Sequence, residues 1–240
     1  AFGFFGISSF SARFFPALFA TAGILAVYFL GLLGFKDGKK AMLSAFILMS
    51  SALYIGLARA VFTDMFFSIF ILLSLTSFFW AYTQREKRAF GVLLFFIFAG
   101  LAVLTKGPLG ILIPSLIVLF FLGVKKDMRF VLNRDFILGI FVFCLISMPW
   151  YIFMVKKYGT HFTYEFFYND HLRRIIEAEH LSNDTWYFYP LATIGSMFPW
   201  SLYVVFSFVY LFKKLKKNAS PMHLFLACWL VIVFLVFPQP

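Results

Sequence analysis

Eight apolar runs follow one another along the chain, at 16–35, 41–58, 65–82, 89–105, 108–123, 136–154, 188–212 and 223–238. None contains a Lys, Arg, Asp or Glu. Runs of about 17–25 such residues can cross the hydrocarbon core of a bilayer as helices. In that medium an unpaired backbone group is costly, so a segment of this kind bonds to itself as α-helix. The pattern predicts an all-α, polytopic transmembrane helix bundle of about eight spans. Composition agrees, since 62% of the 240 residues are hydrophobic and 13% charged, against roughly half and a quarter in soluble domains. The 38 phenylalanines exceed what one soluble core of this size could hide, and most should face lipid or other helices. A soluble enzyme, a disordered tail and a nucleic-acid module are excluded.

The net charge of +11 would suggest an anionic partner in a soluble protein. In a polytopic chain it has a topological meaning, because basic residues accumulate in cytoplasmic loops. Alternate loops carry Lys36, Lys39 and Lys40; Arg85, Lys87 and Arg88; Lys125, Lys126, Arg129 and Arg134; and Lys213, Lys214, Lys216 and Lys217. These are fourteen of the 21 basic residues, and they mark the cytoplasmic side. Six of the ten acids and the longest hydrophilic stretch, 155–187, then lie outside, which places the chemistry on the extracytoplasmic face. Both ends of the chain also fall outside. Together with Ala1 at the first position, this leads us to expect a further helix upstream. The two cysteines, Cys144 and Cys228, have no metal-ligand spacing.

Three outer segments contain residues able to carry chemistry. In the turn from Ala58 to Asp64, Asp64 reads either as a cap of the next helix or as a carboxylate that binds a cation, an amine or a sugar hydroxyl. Arg59 falls in the last turn of the preceding helix, where a cation complements the negative helix end. In Thr105-Lys106-Gly107-Pro108, Lys106 either snorkels to the interface or binds a phosphate as a point charge. In Asp170-His171-Leu172-Arg173-Arg174, His171 and Arg174 share a helical face. They read either as part of a surface ion-pair network or as a second phosphate clamp. A divalent metal held by His161, Glu165, His171 or His180 is conceivable, but the spacing matches no strong zinc pattern, and no cofactor is assigned.

The order of these motifs resembles the bacterial branch of the dolichyl-phosphate-mannose protein mannosyltransferase superfamily, close to lipid A aminoarabinose transferases, which have the GT-C fold. The resemblance begins with Phe5-Gly6-Ile7-Ser8-Ser9-Phe10-Ser11-Ala12-Arg13-Phe14-Phe15-Pro16. It continues through Ala58-Arg59 with Asp64, Lys106-Gly107-Pro108, Pro149-Trp150-Tyr151, His171 with Arg174, and Phe198-Pro199-Trp200. It implies a glycosyltransferase moving a sugar from a polyprenyl-phosphate carrier to a lipid or protein acceptor at the outer face of the bacterial inner membrane. Lys106, His171 and Arg174 would lie near the carrier phosphate, with Arg59 nearby and Asp64 at the sugar end. The family's general base belongs to a segment preceding Ala1, and a further family segment would follow Pro240. The resemblance thus implies that 1–240 is a partial GT-C domain, an internal fragment whose catalytic base is unknown. The competing reading is a transporter with an intramembrane Asp64–Lys106 coupling pair. A non-catalytic scaffold would not need ionisable groups gathered on one face.

The charge asymmetry makes a direct prediction. Cysteines placed at Gly38 and Lys126 should react with an impermeant thiol reagent only after the inner membrane is permeabilised. Labelling of intact cells at either position would reverse the orientation.

Overall fold

The structure is a computed structural model and describes residues 6–164, 166, 188–217 and 219–236. Among these residues all regular structure is helical. The helices are α1 (Ser9–Phe35), α2 (Gly38–Ser50), α3 (Ala52–Arg59), α4 (Thr63–Thr83), α5 (Arg88–Lys106), α6 (Leu109–Lys125), α7 (Arg134–Thr163), α8 (Phe188–Ser196), α9 (Ser201–Lys217) and α10 (Pro221–Val236).

The eight expected spans are resolved differently. Among the described residues, four stretches are long and apolar enough to cross a membrane: Ser9–Phe35, Thr63–Thr83, Arg85–Lys106 and Arg134–Thr160. A fifth is added if α2 and α3, bent by 61° at their junction, count as one span. The helices covering the runs at 108–123 and 223–238 have 17 and 16 residues, at and just below the lower end of the ~17–25 residues that span a bilayer. The first helix starts at Ser9 rather than Pro16, because Ser8 and Ser11 form a capping box. Each hydroxyl there accepts the other residue's backbone N–H, which ties down two otherwise unpaired donors. Pro16 is carried inside the helix.

Two of the expected continuous spans are broken, and the breaks meet. The run at 41–58 leaves helical geometry at Ser51, whose backbone is extended. The run at 188–212 is interrupted between α8 and α9. Broken helices release backbone donors, which at membrane depth must find protein partners. Here the Ala52 N–H donates to the Phe198 carbonyl at 2.9 Å, and the Trp200 indole N–H donates to the Ser50 hydroxyl at 2.8 Å. Phe46 packs on Trp200 with ring centroids 5.9 Å apart.

The core is the antiparallel pair α4 and α5. A Cβ on Gly91 would lie 2.8 Å from the Ala81 Cβ and 2.9 Å from the Ser77 carbonyl, so the two backbones approach through small residues. The buried Ser74 hydroxyl donates to the Phe95 carbonyl at 2.9 Å and fixes the register. α7 crosses α5 with Gly139 seated on Phe96. It runs on to Thr163, so the hydrophilic stretch expected from 155 begins as helix, with a kink at Gly159.

The basic loops converge at one end. Arg85 pairs with Asp127 at 3.0 Å, and Arg88 donates to the Phe130 carbonyl at 2.7 Å while its guanidinium lies 4.5 Å from that ring's centroid. Phe130, Tyr82, Phe78, Phe121 and Phe225 pack together beneath these groups. Phe35 and Tyr210 flank His223, with centroids 6.1 and 6.2 Å away, which brings the loops after α1 and α9 to the same end. Asp37 caps α2 there, and chiefly the Lys40 amide holds its carboxyl below the usual range.

At the opposite end α5 turns sharply into α6. A Cβ on Gly110 would come within 2.4 Å of the Val103 nitrogen and 2.5 Å of the Ala102 carbonyl carbon. Neither backbone atom can yield as a side-chain tip would. Gly110→Ala should therefore lower stability in detergent by about 1–3 kcal/mol, read as a fall in the unfolding midpoint; an unchanged midpoint would show that the hairpin relaxes freely.

Candidate functional site

Asp64 is the second residue of α4 and Lys106 the last of α5. The antiparallel packing of these helices brings together two side chains 42 positions apart in sequence. The Lys106 ammonium donates to the Asp64 carboxylate in a direct ion pair. Its Nζ also lies 5.8 Å from the ring centroid of Phe67, the residue one helical turn along from Asp64. The side chains are 38% and 47% exposed, so the pair is at a surface rather than deep in the bundle.

Each charge is placed where its helix favours it. A carboxylate in the first turn meets the positive end of the α4 dipole, and an ammonium in the last turn meets the negative end of α5. Asp64 is not a cap, however. Phe62 occupies the cap position and makes no side-chain cap bond, so the carboxylate is two positions too far along to cap and is directed to Lys106. Gly107 closes α5 with φ 78° and ψ −158°, a conformation nearly restricted to glycine. It lets the chain turn directly after the lysine, with Pro108 leading into α6.

Arg59 ends α3, five residues before Asp64, and is exposed. It makes no ion pair among the described residues. Its helix is fixed by the Tyr54 hydroxyl, which donates to the Ala20 carbonyl of α1 at 2.6 Å. Leu57 and Ala58 pack on the cluster of Ala20, Met65 and Ile69. Arg59 and Asp64 are thus held at the same end by α1, α3 and α4. His171 and Arg174 lie outside the described residues. So do Glu165, His180 and the side chain of His161, the other members of the conceivable metal site. Among the described residues no three His, Cys, Asp or Glu side chains gather.

Composition hid one contributor, because aromatics in such a chain are mostly lipid- or helix-facing. Tyr151 of α7 donates its hydroxyl to the Val103 carbonyl at 3.2 Å, one turn before Lys106. Trp150, Tyr151, Phe162 and Phe166 form a continuous aromatic group beside it. The signal available in the sequence was the Pro149-Trp150-Tyr151 string. The site therefore combines an ion pair at a helix boundary, a second cation close in sequence, and an aromatic wall. Such a set can hold an anion against Lys106 and present apolar and π surface to its substituents.

Known proteins share this arrangement of helices. The crystal structure of ArnT from Cupriavidus metallidurans bound to undecaprenyl phosphate superposes with a TM-score of 0.86 at 21% identity, covering 99% of this chain and 43% of that one. In sequence, the undecaprenyl phosphate-alpha-4-amino-4-deoxy-L-arabinose arabinosyl transferase 1 of Pseudomonas fluorescens is 30% identical over 95% of this chain and 41% of its own length. The corresponding transferase 2 of Proteus mirabilis is 27% identical over 97% of this chain and 42% of its own. The chain thus spans about two fifths of the length of these relatives. Residues 2–164 match the family described as dolichyl-phosphate-mannose-protein mannosyltransferase, and the chain belongs to that family.

Proposed function

We propose that the chain supplies the donor side of a membrane glycosyltransferase, which moves a sugar from a polyprenyl-phosphate carrier to an acceptor at the extracytoplasmic face of the bacterial inner membrane. The Lys106–Asp64 pair carries this reading. It sits at the end opposite the basic loops, at helix boundaries, where a lipid-borne donor presents its phosphate. Relatives named for undecaprenyl-phosphate-linked aminoarabinose support the donor class. The acceptor is lipid A, another glycolipid, a polymer or a protein.

In this reaction the acceptor oxygen attacks the anomeric carbon. The C–O bond to the carrier phosphate breaks, and its electron pair leaves with the phosphate. The carrier departs as a phosphate monoester with one more negative charge than the diester had. The acceptor proton passes to a carboxylate base that the family resemblance places outside this segment. A fixed cation is most useful where charge develops, and that is the role we assign to Lys106. Arg174 and His171 join it in this reading, and Arg59 belongs to the same end of the bundle. Asp64 holds the ammonium in place and faces the sugar end. A transporter reading gains no support from the pair, which is surface-exposed at helix ends and not buried at mid-membrane.

The test is sugar transfer from a defined undecaprenyl-phosphate donor by the full-length protein in detergent. Lys106→Ala should weaken donor binding and slow turnover together, with kcat/KM falling on the order of 10²-fold. Lys106→Arg should rescue only part of this loss, because a planar fork does not replace a compact ammonium in a tight turn. Full activity of Lys106→Ala at low donor concentration would remove the phosphate role.

Asp64→Asn separates structure from chemistry. An exposed pair contributes only about 0–1 kcal/mol, so the variant should unfold within that margin of the parent while transfer falls. Unchanged transfer would mean that the carboxylate neither holds Lys106 for the reaction nor meets the sugar.

A further inference from the structure

A second feature lies at the basic end, away from the ion pair. α1 and α2 leave a surface groove between them, about 550 Å³, lined by Ile24 of α1 and by Lys39, Met42, Leu43, Ala45, Phe46 and Met49 of α2. Its lining is apolar except at one end, where Lys39 stands in the first turn of α2. Met42, Leu43, Phe46 and Met49 are each about half exposed or more.

The charge around the mouth of this groove is one-sided. Lys36, Lys39 and Lys40 are consecutive cations of the α1–α2 turn. Lys214 stands 5.7 Å from the Tyr210 ring centroid, and Tyr210 packs against His223 at this same end. The acid of this turn, Asp37, is engaged by Lys40 at 3.4 Å and by two backbone amides. Lys39 makes no ion pair among the described residues.

The dimensions are those of one leaflet. From Lys39 to Met49 the groove runs ten helical residues, ~15 Å at 1.5 Å per residue. Half of a ~30 Å hydrocarbon core is the same length. An apolar channel one leaflet deep with a cation at its polar end matches an acyl chain joined to an anionic headgroup.

We propose that this groove binds an anionic phospholipid, with one acyl chain lying along α2 and its phosphodiester on Lys39. The binding is separate from that of the carrier lipid, whose phosphate we assign to the opposite end of the bundle. It does not depend on the transferase reading.

Native mass spectrometry of the full-length protein, purified in detergent and supplied with dioleoyl phosphatidylglycerol or dioleoyl phosphatidylcholine, tests this. Phosphatidylglycerol should be retained in preference. Lys39→Ala should reduce its retention about fivefold, the equivalent of ~1 kcal/mol for one basic residue at an anionic surface, and should reduce that of phosphatidylcholine, whose choline offsets the phosphodiester charge, by less. Lys39→Arg should keep the preference. Met42→Trp, which fills the exposed groove, should reduce retention of both lipids. Lys126→Ala, at a different basic loop, should change neither. Inorganic phosphate at millimolar concentration should not displace the lipid, because the acyl chain supplies much of the binding. The proposal is overturned if Lys39→Ala and Met42→Trp retain phosphatidylglycerol like the parent, if Lys126→Ala loses as much as Lys39→Ala, or if free phosphate competes fully. It also fails if the groove proves to be covered by a second copy of the chain, which would appear as a dimer broken by Met42→Trp.

Discussion

The close antiparallel contact of α4 and α5 is the interaction on which the rest of this structure depends. Among apolar helices in lipid there is little hydrophobic drive toward one another, so packing and interhelical hydrogen bonds must select the pair. Gly91 against Ser77 and Ala81 supplies the close approach, and Ser74 to Phe95 supplies the register. Register matters because the helices end together. A slip of one turn, ~5.4 Å, would part Asp64 from Lys106 and leave the ammonium without its carboxylate. The site is therefore a consequence of mid-membrane packing that contains no charge at all.

The breaks illustrate the same constraint from the other side. A helix interrupted at Ser51 would ordinarily waste donors in an apolar medium. The second interruption, at Phe198–Trp200, provides a carbonyl and an indole N–H at that level. Each irregular segment satisfies the other, and the bend of 61° between α2 and α3 becomes a fixed feature. That bend redirects α3 across the end of α1 and α4 opposite the basic loops, where its last residue is Arg59.

Much of this was legible in the residues. The all-α class follows from backbone chemistry in lipid, and the family resemblance followed from six short motifs in order. Asp64, Arg59 and Lys106 stood out as ionisable groups bordering long uncharged runs. Their contact was not legible, because 42 intervening positions say nothing of register until Ser74 and Gly91 are known to pack on α5. The helix breaks were also hidden. Hydropathy counts side chains, and Ser50-Ser51 lowers it little, whereas a break is a matter of where backbone bonds go. Lys156 and Lys157 drew the expected end of one span to 154, yet α7 continues to Thr163, since a helix emerging into a polar region can carry charge. The Asp64 capping reading missed by two positions, within the ordinary uncertainty of a helix start. His171 and Arg174 lie outside the described residues, so their place beside Lys106 rests on the resemblance alone.

The exposure of the Asp64–Lys106 pair bears on what it can do. A buried pair resists separation, since removing one partner costs about 3–5 kcal/mol. A pair at the surface contributes only about 0–1 kcal/mol, and water can solvate either group as they part. Under the transferase reading we propose, an arriving phosphate oxygen can then share the ammonium with the carboxylate at little cost in stability. The neighbouring apolar and aromatic groups, Phe67 and Tyr151, lower the local polarity once a ligand covers them, and Coulombic attraction strengthens as the effective dielectric falls. Under the transferase reading, the same lysine can thus exchange its carboxylate partner for a phosphate and attract it more strongly once the ligand covers the site. Placing the pair at the helix ends achieves this, and placing it at mid-membrane would not.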